Sequence, residues 1–202
     1  MEINLKPKYK ISMDVAFMLI IAALTAFSIW KAPYGHVTSD EAFYLAVPYR
    51  LLQGDALLAQ EWHVSQLSGL LLTPVLWLYY LLGGTSEGII LAFRYIYIAV
   101  QTLTAIYIYL SFRKDEDRAT INAIAAACVY LMFVPYNIMA LSYNTMGICA
   151  LTIAGVSIAT ANNKWHKVVI GGYTGLLCAV LPVPRGAVCG IFRCGADTQR
   201  QE

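Results

Sequence analysis

Five long stretches without a charged residue constrain this chain more than any other feature. They cover Val15–Trp30, Trp62–Ser86, Tyr95–Phe112, Ala119–Asn163 and Val168–Pro184. A spanning helix needs about 20 predominantly apolar residues, so stretches of this kind belong in a bilayer rather than in a water-soluble core. Composition agrees: 59% of residues are hydrophobic and 13% charged, against about 25% charged in an average soluble domain, and the mean hydropathy is +0.60. The formal charge of +2 and the absence of a basic stripe interleaved with aromatics set nucleic acid aside as a partner. The five cysteines contain no CxxC pair. Cys128, Cys149 and Cys178 sit in apolar runs, where a thiol behaves as a small hydrophobe, and Cys189 and Cys194 can pair only if the tail is outside the cell.

The sequence therefore predicts an all-α polytopic membrane protein. Residues 11–30 read as an uncleaved first span preceded by Lys6, Lys8 and Lys10, with Asp14 at its inner edge. The run Ala119–Asn163 is too long for one span and breaks at Pro135-Tyr136-Asn137 and Ser142-Tyr143-Asn144, which makes it two helices. The Trp62–Ser86 run is decided by charge. If it crosses, the loops holding Arg113, Lys114, Arg118, Lys164 and Lys167 fall opposite the three N-terminal lysines; if it does not, all eight cations lie on the cytoplasmic side. The second arrangement leaves residues 31–94 as one outer segment, with Leu67–Leu82 lying at the interface, where Pro74, Trp77, Tyr79 and Tyr80 suit it. The expected architecture is about five spans, near 11–30, 95–112, 119–134, 146–162 and 168–184, plus outer juxtamembrane amphipathic helices, with the N-terminus cytoplasmic. Ala123/Ala127 and Gly171/Gly175 have the spacing of close helix contacts.

Chemistry concentrates in the outer segment. It opens Thr38-Ser39-Asp40-Glu41-Ala42-Phe43-Tyr44, two adjacent carboxylates just beyond the first span. Thr38-x-x-Glu41 matches a capping box, and acids in a first turn are stabilised by the helix dipole. The competing reading is that an acid fixed at a helix start serves as general base for an acceptor hydroxyl. Phe43, Val47 and Leu51 share one face of a short amphipathic helix that Pro48 is expected to kink and that ends at Gln53-Gly54-Asp55. Glu61 and His63 add polar groups on the same side, His63 reading as interfacial more readily than as a metal ligand. Arg94, at the start of an apolar span, is either a snorkelling anchor or the partner of Asp40, Glu41 or a substrate phosphate. Asn144 lies in a polar outer turn that can face the same cavity.

The order of these features resembles the N-terminal region of C-type (GT-C) glycosyltransferases, in the branch of the protein O-mannosyltransferases and the lipid A aminoarabinose transferase. Asp40-Glu41-Ala42-Phe43-Tyr44 followed by Leu51-Leu52-Gln53-Gly54-Asp55 carries most of the likeness, and Arg94 the rest. In layout it covers roughly residues 10–180. The resemblance implies sugar transfer from a polyprenyl-phosphate carrier to an acceptor on the outer face, with inversion, Asp40 as base and Glu41 assisting. Arg94 or Arg50 would supply the cation, with Glu61, His63 and Asn144 lining the substrate site. No metal site is expected from the residues, although some relatives use a divalent ion. Family members are several hundred residues long, and some carry an acid where Asn144 stands here. Residues 1–184 are thus expected to be the N-terminal part of such a membrane domain, and the polar tail 185–202 reads like a truncated or frameshifted end. The rival expectation is a non-enzymatic polytopic accessory protein in which the acids only cap a helix; a transporter is disfavoured because the spans hold no acidic relay.

Overall fold

Apolar runs without internal breakers fold as helices, and in the computed structural model, which describes residues 7–34, 39–56, 59, 66–113, 117–160 and 172, all regular structure is helical. The order is α1 (Pro7–Lys31), α2 (Ser39–Leu52), α3 (Gln66–Leu81), α4 (Ile89–Phe112), α5 (Asp117–Met132) and α6 (Tyr143–Ala159), with single 3₁₀ turns at Ala32–Tyr34, Ser86–Gly88 and Pro135–Asn137. Among the described residues, two helical stretches are long and apolar enough to cross a membrane, Met13–Tyr34 and Ser86–Phe112; α3, α5 and α6 are apolar but shorter. The expected division of the 119–163 run into two helices is observed, at the expected turn. The 168–184 stretch, apart from residue 172, and the 185–202 tail lie outside the described residues.

The spine is α4. Its buried residues form two adjacent rows, Ile89–Phe93–Tyr97–Thr104–Ile108 and Arg94–Ile98–Gln101–Ala105–Tyr109, so it can pack on several sides at once. Near its start, Phe93 and Tyr97 join Leu45 of α2, Leu72 and Leu76 of α3, and Ala140 and Leu141 before α6. Towards its end, Ala105, Ile108 and Tyr109 join Phe17 and Ile21 of α1, Ala123, Ala127 and Leu131 of α5, and Val156 of α6. Ala123 and Ala127 are almost fully buried in this second core, as the small-residue spacing predicts. Gln101 Nε2 donates to the carbonyls of Tyr130, which also accepts from Phe133 N–H, and of Phe133, just past the end of α5, and Thr104 contacts Cys149 Sγ at 3.1 Å.

Helices α1 and α4 run antiparallel in fixed register. Asp14 meets Tyr109 and Arg113, the Phe17 and Tyr109 rings stack, Thr25 Oγ1 lies 3.0 Å from Thr102 Oγ1, and the Ala32 carbonyl accepts from Arg94. Each step down α1 is matched by an equal step back up α4. Among the α1 residues from Met13 onward, Phe17 and Ile21 are buried, while Met18, Leu19, Phe27 and Trp30 face outward. Helix α4 begins at Ile89, well before the expected 95, so Arg94 lies inside the helix rather than at its head.

Glycines shape the smaller elements. α2 stops at Leu52 as expected, with Gly54 at φ +101°, Gly54 N–H on Leu51 O at 3.1 Å and Asp55 N–H on Arg50 O at 3.1 Å. That pairing is a Schellman stop, which needs a left-handed residue and hence glycine. Pro48 sits within α2 without ending it. The buried side of α2 is Glu41, Leu45, Val47 and Pro48, with Phe43 exposed and Leu51 only partly covered; of the Phe43–Val47–Leu51 face expected to lie along a membrane, Val47 is turned into the bundle. Opposite it, Gly69 of α3 lets the helices touch: a Cβ there would lie 2.4 Å from Val47 Cγ1. Replacing Gly69 by Ala is expected to destabilise the protein by about 1–3 kcal/mol, as overpacking does, and Val47→Ala in the same chain should recover part of the loss, both read as thermal unfolding midpoints in detergent.

Candidate functional site

The two adjacent acids at the start of α2 have opposite fates. Helical geometry turns neighbouring residues about 100° apart, so when one faces the bundle the next faces away. Glu41 is 1% exposed. Its Oε2 accepts from Arg94 Nε at 3.0 Å and Nη2 at 2.6 Å, and its Oε1 accepts from the backbone N–H of Met139 at 2.8 Å. The acid that the capping-box spacing assigns to the helix's own N-terminus is turned into the bundle instead. Thr38 lies outside the described residues.

Arg94 is equally enclosed, at 3% exposure, and its Nη1 donates to the Ala32 carbonyl at 2.6 Å. Of the partners expected for it, Glu41 is the one found; the snorkelling reading does not hold, because the guanidinium points into the bundle. One ion pair thereby joins the turn after α1, the first turn of α2, the second turn of α4 and the segment before α6. That last segment is aimed by the Pro135–Asn137 turn, where Asn137 takes φ +59°, a conformation asparagine tolerates better than most residues.

Asp40 is exposed beside this pair. One turn along on the same face, Tyr44 is half-buried and sets its ring edge-on to that of Tyr143, with centroids 5.2 Å apart. Tyr143 is the first residue of α6, whose start is fixed by a capping box: Thr145 N–H donates to Ser142 Oγ at 3.2 Å and Ser142 N–H to Thr145 Oγ1 at 2.7 Å. Burial first, then the neighbouring Tyr143 and the charge of Asp40, push the Tyr44 phenol up to about 12. Asn144 follows, half-buried. The structure thus brings Asp40, Glu41, Arg94 and the Tyr143–Asn144 turn to one end of the bundle, as the sequence led us to expect.

Arg50 is not part of this group. Ten residues of helix, about 15 Å of rise, separate it from Asp40, and its Nε pairs with Asp55 Oδ2 at 2.7 Å across the Schellman stop. Glu61 and His63 lie outside the described residues. Among the described residues no group of three or more His, Cys, Asp or Glu side chains gathers as metal ligands. Sequence reasoning passed over three contributors: Tyr44 and Tyr143, whose pairing is tertiary, and Lys31, exposed at the end of α1 next to the carbonyl that Arg94 holds. Alongside the site an apolar cavity of about 590 Å³ runs between α3, α4 and α6, from Leu72 and Leu141 to Thr104, Cys149 and Ile153. No known protein family, curated protein or solved structure matches the chain.

Removing either member of a buried ion pair strands the other. Arg94→Met or Glu41→Leu alone is expected to destabilise the fold by about 3–5 kcal/mol, and the double replacement by clearly less; chemical unfolding in detergent distinguishes these outcomes. For Tyr44 the raised phenol favours the neutral form in the folded state. Its contribution should be complete below pH 10 and lost as pH climbs towards 12. Unfolding midpoints measured across that window should fall less steeply for Tyr44→Phe than for the unaltered protein.

Proposed function

We propose that the chain is a GT-C-type membrane glycosyltransferase, or the catalytic part of one, which moves a sugar from a polyprenyl-phosphate carrier to an acceptor hydroxyl at the outer membrane face. The observation that carries this reading is the split of the acid pair: Glu41 is spent on Arg94, which fixes the first turn of α2, and Asp40 is left exposed on that fixed turn. A carboxylate so held can take the acceptor's proton as the acceptor oxygen attacks the anomeric carbon. The bond from that carbon to the phosphate oxygen breaks, its electrons leave with the carrier phosphate, and the configuration inverts. A lipid phosphate is already a competent leaving group, so one base and a nearby cation suffice. With Arg94 enclosed, Lys31 is the exposed cation nearest in the fold's connectivity to the Ala32 carbonyl end. The apolar cavity beginning at Leu141 supports the lipid part of the reading, since it offers hydrocarbon a path away from the polar end.

The membrane arrangement in this proposal has five spans: α1, α4, α5, α6 and residues 168–184, with the N-terminus cytoplasmic and residues 31–94 outside. It is supported by the antiparallel α1/α4 pair, which keeps Ala32 and Arg94 at one end and Asp14 and Arg113 at the other. The two ionic contacts are 18–19 residues apart along each helix, roughly 27 Å of rise, close to the hydrocarbon thickness of about 30 Å. The apolar outward face of α3, with Leu70, Leu71, Trp77 and Leu78 exposed, supports its interfacial placement.

A second reading, a non-enzymatic membrane accessory protein, is favoured by one feature: Glu41 and Arg94 satisfy each other fully enough to be architectural. The two readings part on Asp40. In membranes supplied with a polyprenyl-phosphate hexose, Asp40→Asn is expected to lower sugar transfer at least a hundredfold, the range of general-base contributions, with the unfolding midpoint unchanged. Transfer at the unaltered rate would remove the base assignment and leave the accessory reading in its place.

A further inference from the structure

The exposed face of α2 carries more than a carboxylate. Asp40 and Tyr44 are four residues apart and so lie one above the other on the helix surface, and Tyr143 reaches the same spot from α6. The two rings stand at 81° with centroids 5.2 Å apart. The ring contact holds the two side chains against each other. In an edge-to-face pair only one face of one ring is covered by the other, and both tyrosines are partly open to their surroundings. The spot therefore combines a fixed, electron-rich aromatic surface with an acceptor-only oxygen pair at its rim.

We propose that Tyr44 and Tyr143 form the platform on which a pyranose ring lies, with Asp40 at its edge. A pyranose presents a patch of C–H bonds on one face and hydroxyl donors around its perimeter. The C–H patch packs on an aromatic face and the perimeter donors reach a carboxylate. Two elements are needed to build this surface, because Tyr44 alone is a rotatable side chain on a short helix. The Tyr143 contact fixes it, and the capping box at Ser142–Thr145 fixes Tyr143 in turn. The Glu41–Arg94 pair sets α2 at the height where the two meet, through the Met139 N–H three residues before Ser142. The inference takes its sugar from the transferase reading but does not depend on turnover. The ring on the platform is either that of the carrier-linked donor or that of the acceptor, and both present the same chemistry to the tyrosines.

Saturation-transfer NMR on the full chain in lipid nanodiscs tests it, with methyl α-mannopyranoside and methyl β-glucopyranoside as free rings, citronellyl-phosphate mannose as the carrier-like ring, and tetramethylammonium as a cation that an aromatic and acidic site would also attract. Irradiating the protein's aromatic protons should saturate the ring protons of at least one sugar probe. A response confined to the phosphate-linked probe assigns the platform to the donor, and one confined to the free glycosides assigns it to the acceptor. Tyr44→Leu and Tyr143→Leu should each reduce the response at least fivefold, while Tyr44→Phe and Tyr143→Phe, which keep the rings, should retain at least half of it. No response from any sugar probe, a response to tetramethylammonium alone, or leucine variants that respond like the unaltered protein would overturn the platform. So would phenylalanine variants that lose the response as fully as leucine, since the phenols rather than the ring faces would then be the contact. Sugar binding without Asp40-dependent transfer would defeat the transferase reading while leaving the platform standing.

Discussion

The pair of Glu41 and Arg94 is the contact on which the arrangement of this fold turns. Taking two charges out of water is unfavourable by several kcal/mol each, and their attraction offsets this only when the remaining donors and acceptors are also matched. Here the matching is thorough. Two guanidinium nitrogens share one carboxylate oxygen, a backbone N–H takes the other, and a third guanidinium nitrogen holds a carbonyl just past the end of α1. The charges are also placed with the helix dipoles rather than against them. Glu41 is in the first turn of α2, where the partial charge is positive, and Arg94 meets the C-terminal end of α1, where it is negative. Four segments distant in sequence are fixed by a single contact.

From that contact the rest of the bundle is hung on α4. Its first half packs with α2 and α3, and its second half with α1, α5 and α6. The polar residues between these cores engage backbone carbonyls of the neighbouring segments, as Gln101 does at the end of α5. A buried amide satisfied twice over specifies where α5 ends relative to α4 in a way that alanine packing alone cannot, since Ala123 and Ala127 fit any register that keeps small residues against a backbone.

What the sequence disclosed and what it concealed follow a physical division. Features set by neighbours along the chain were legible: the helical nature of the described uncharged runs, the break around Pro135–Asn137, the glycine stop of α2, and the small-residue face of α5. Features set by contacts across the chain were not. Arg94 interrupts an uncharged run and so marks the expected start of a span, yet a charge whose partner is also buried does not stop a helix, and α4 starts five residues earlier. Glu41 has the spacing of a local cap, but its partner is 53 residues away. Hydrophobicity alone does not place Glu41 on the buried side of α2, because it does not count an ion-paired acid as an inward-facing residue. The gathering of Asp40, Glu41, Arg94 and the Tyr143–Asn144 turn was anticipated from their shared side, while the Tyr44–Tyr143 pairing rests on a tertiary contact that no spacing rule contains.

The antiparallel clamp of α1 and α4 has a consequence for the medium around it. Its two ionic ends are held apart by rigid helices, so the interval between them cannot stretch or shrink as a loop would. In a bilayer whose hydrocarbon layer is thicker than that interval, the lipid must thin locally or the helices must carry their end charges into hydrocarbon. In a thinner one the pair must tilt, and tilting moves α2, with its acids, relative to the surface. Hydrophobic mismatch of this kind amounts to only fractions of a kcal/mol per Å. In the membrane arrangement proposed above it acts, however, directly on the depth at which Asp40 meets its surroundings, and membrane thickness becomes a setting of the proposed site.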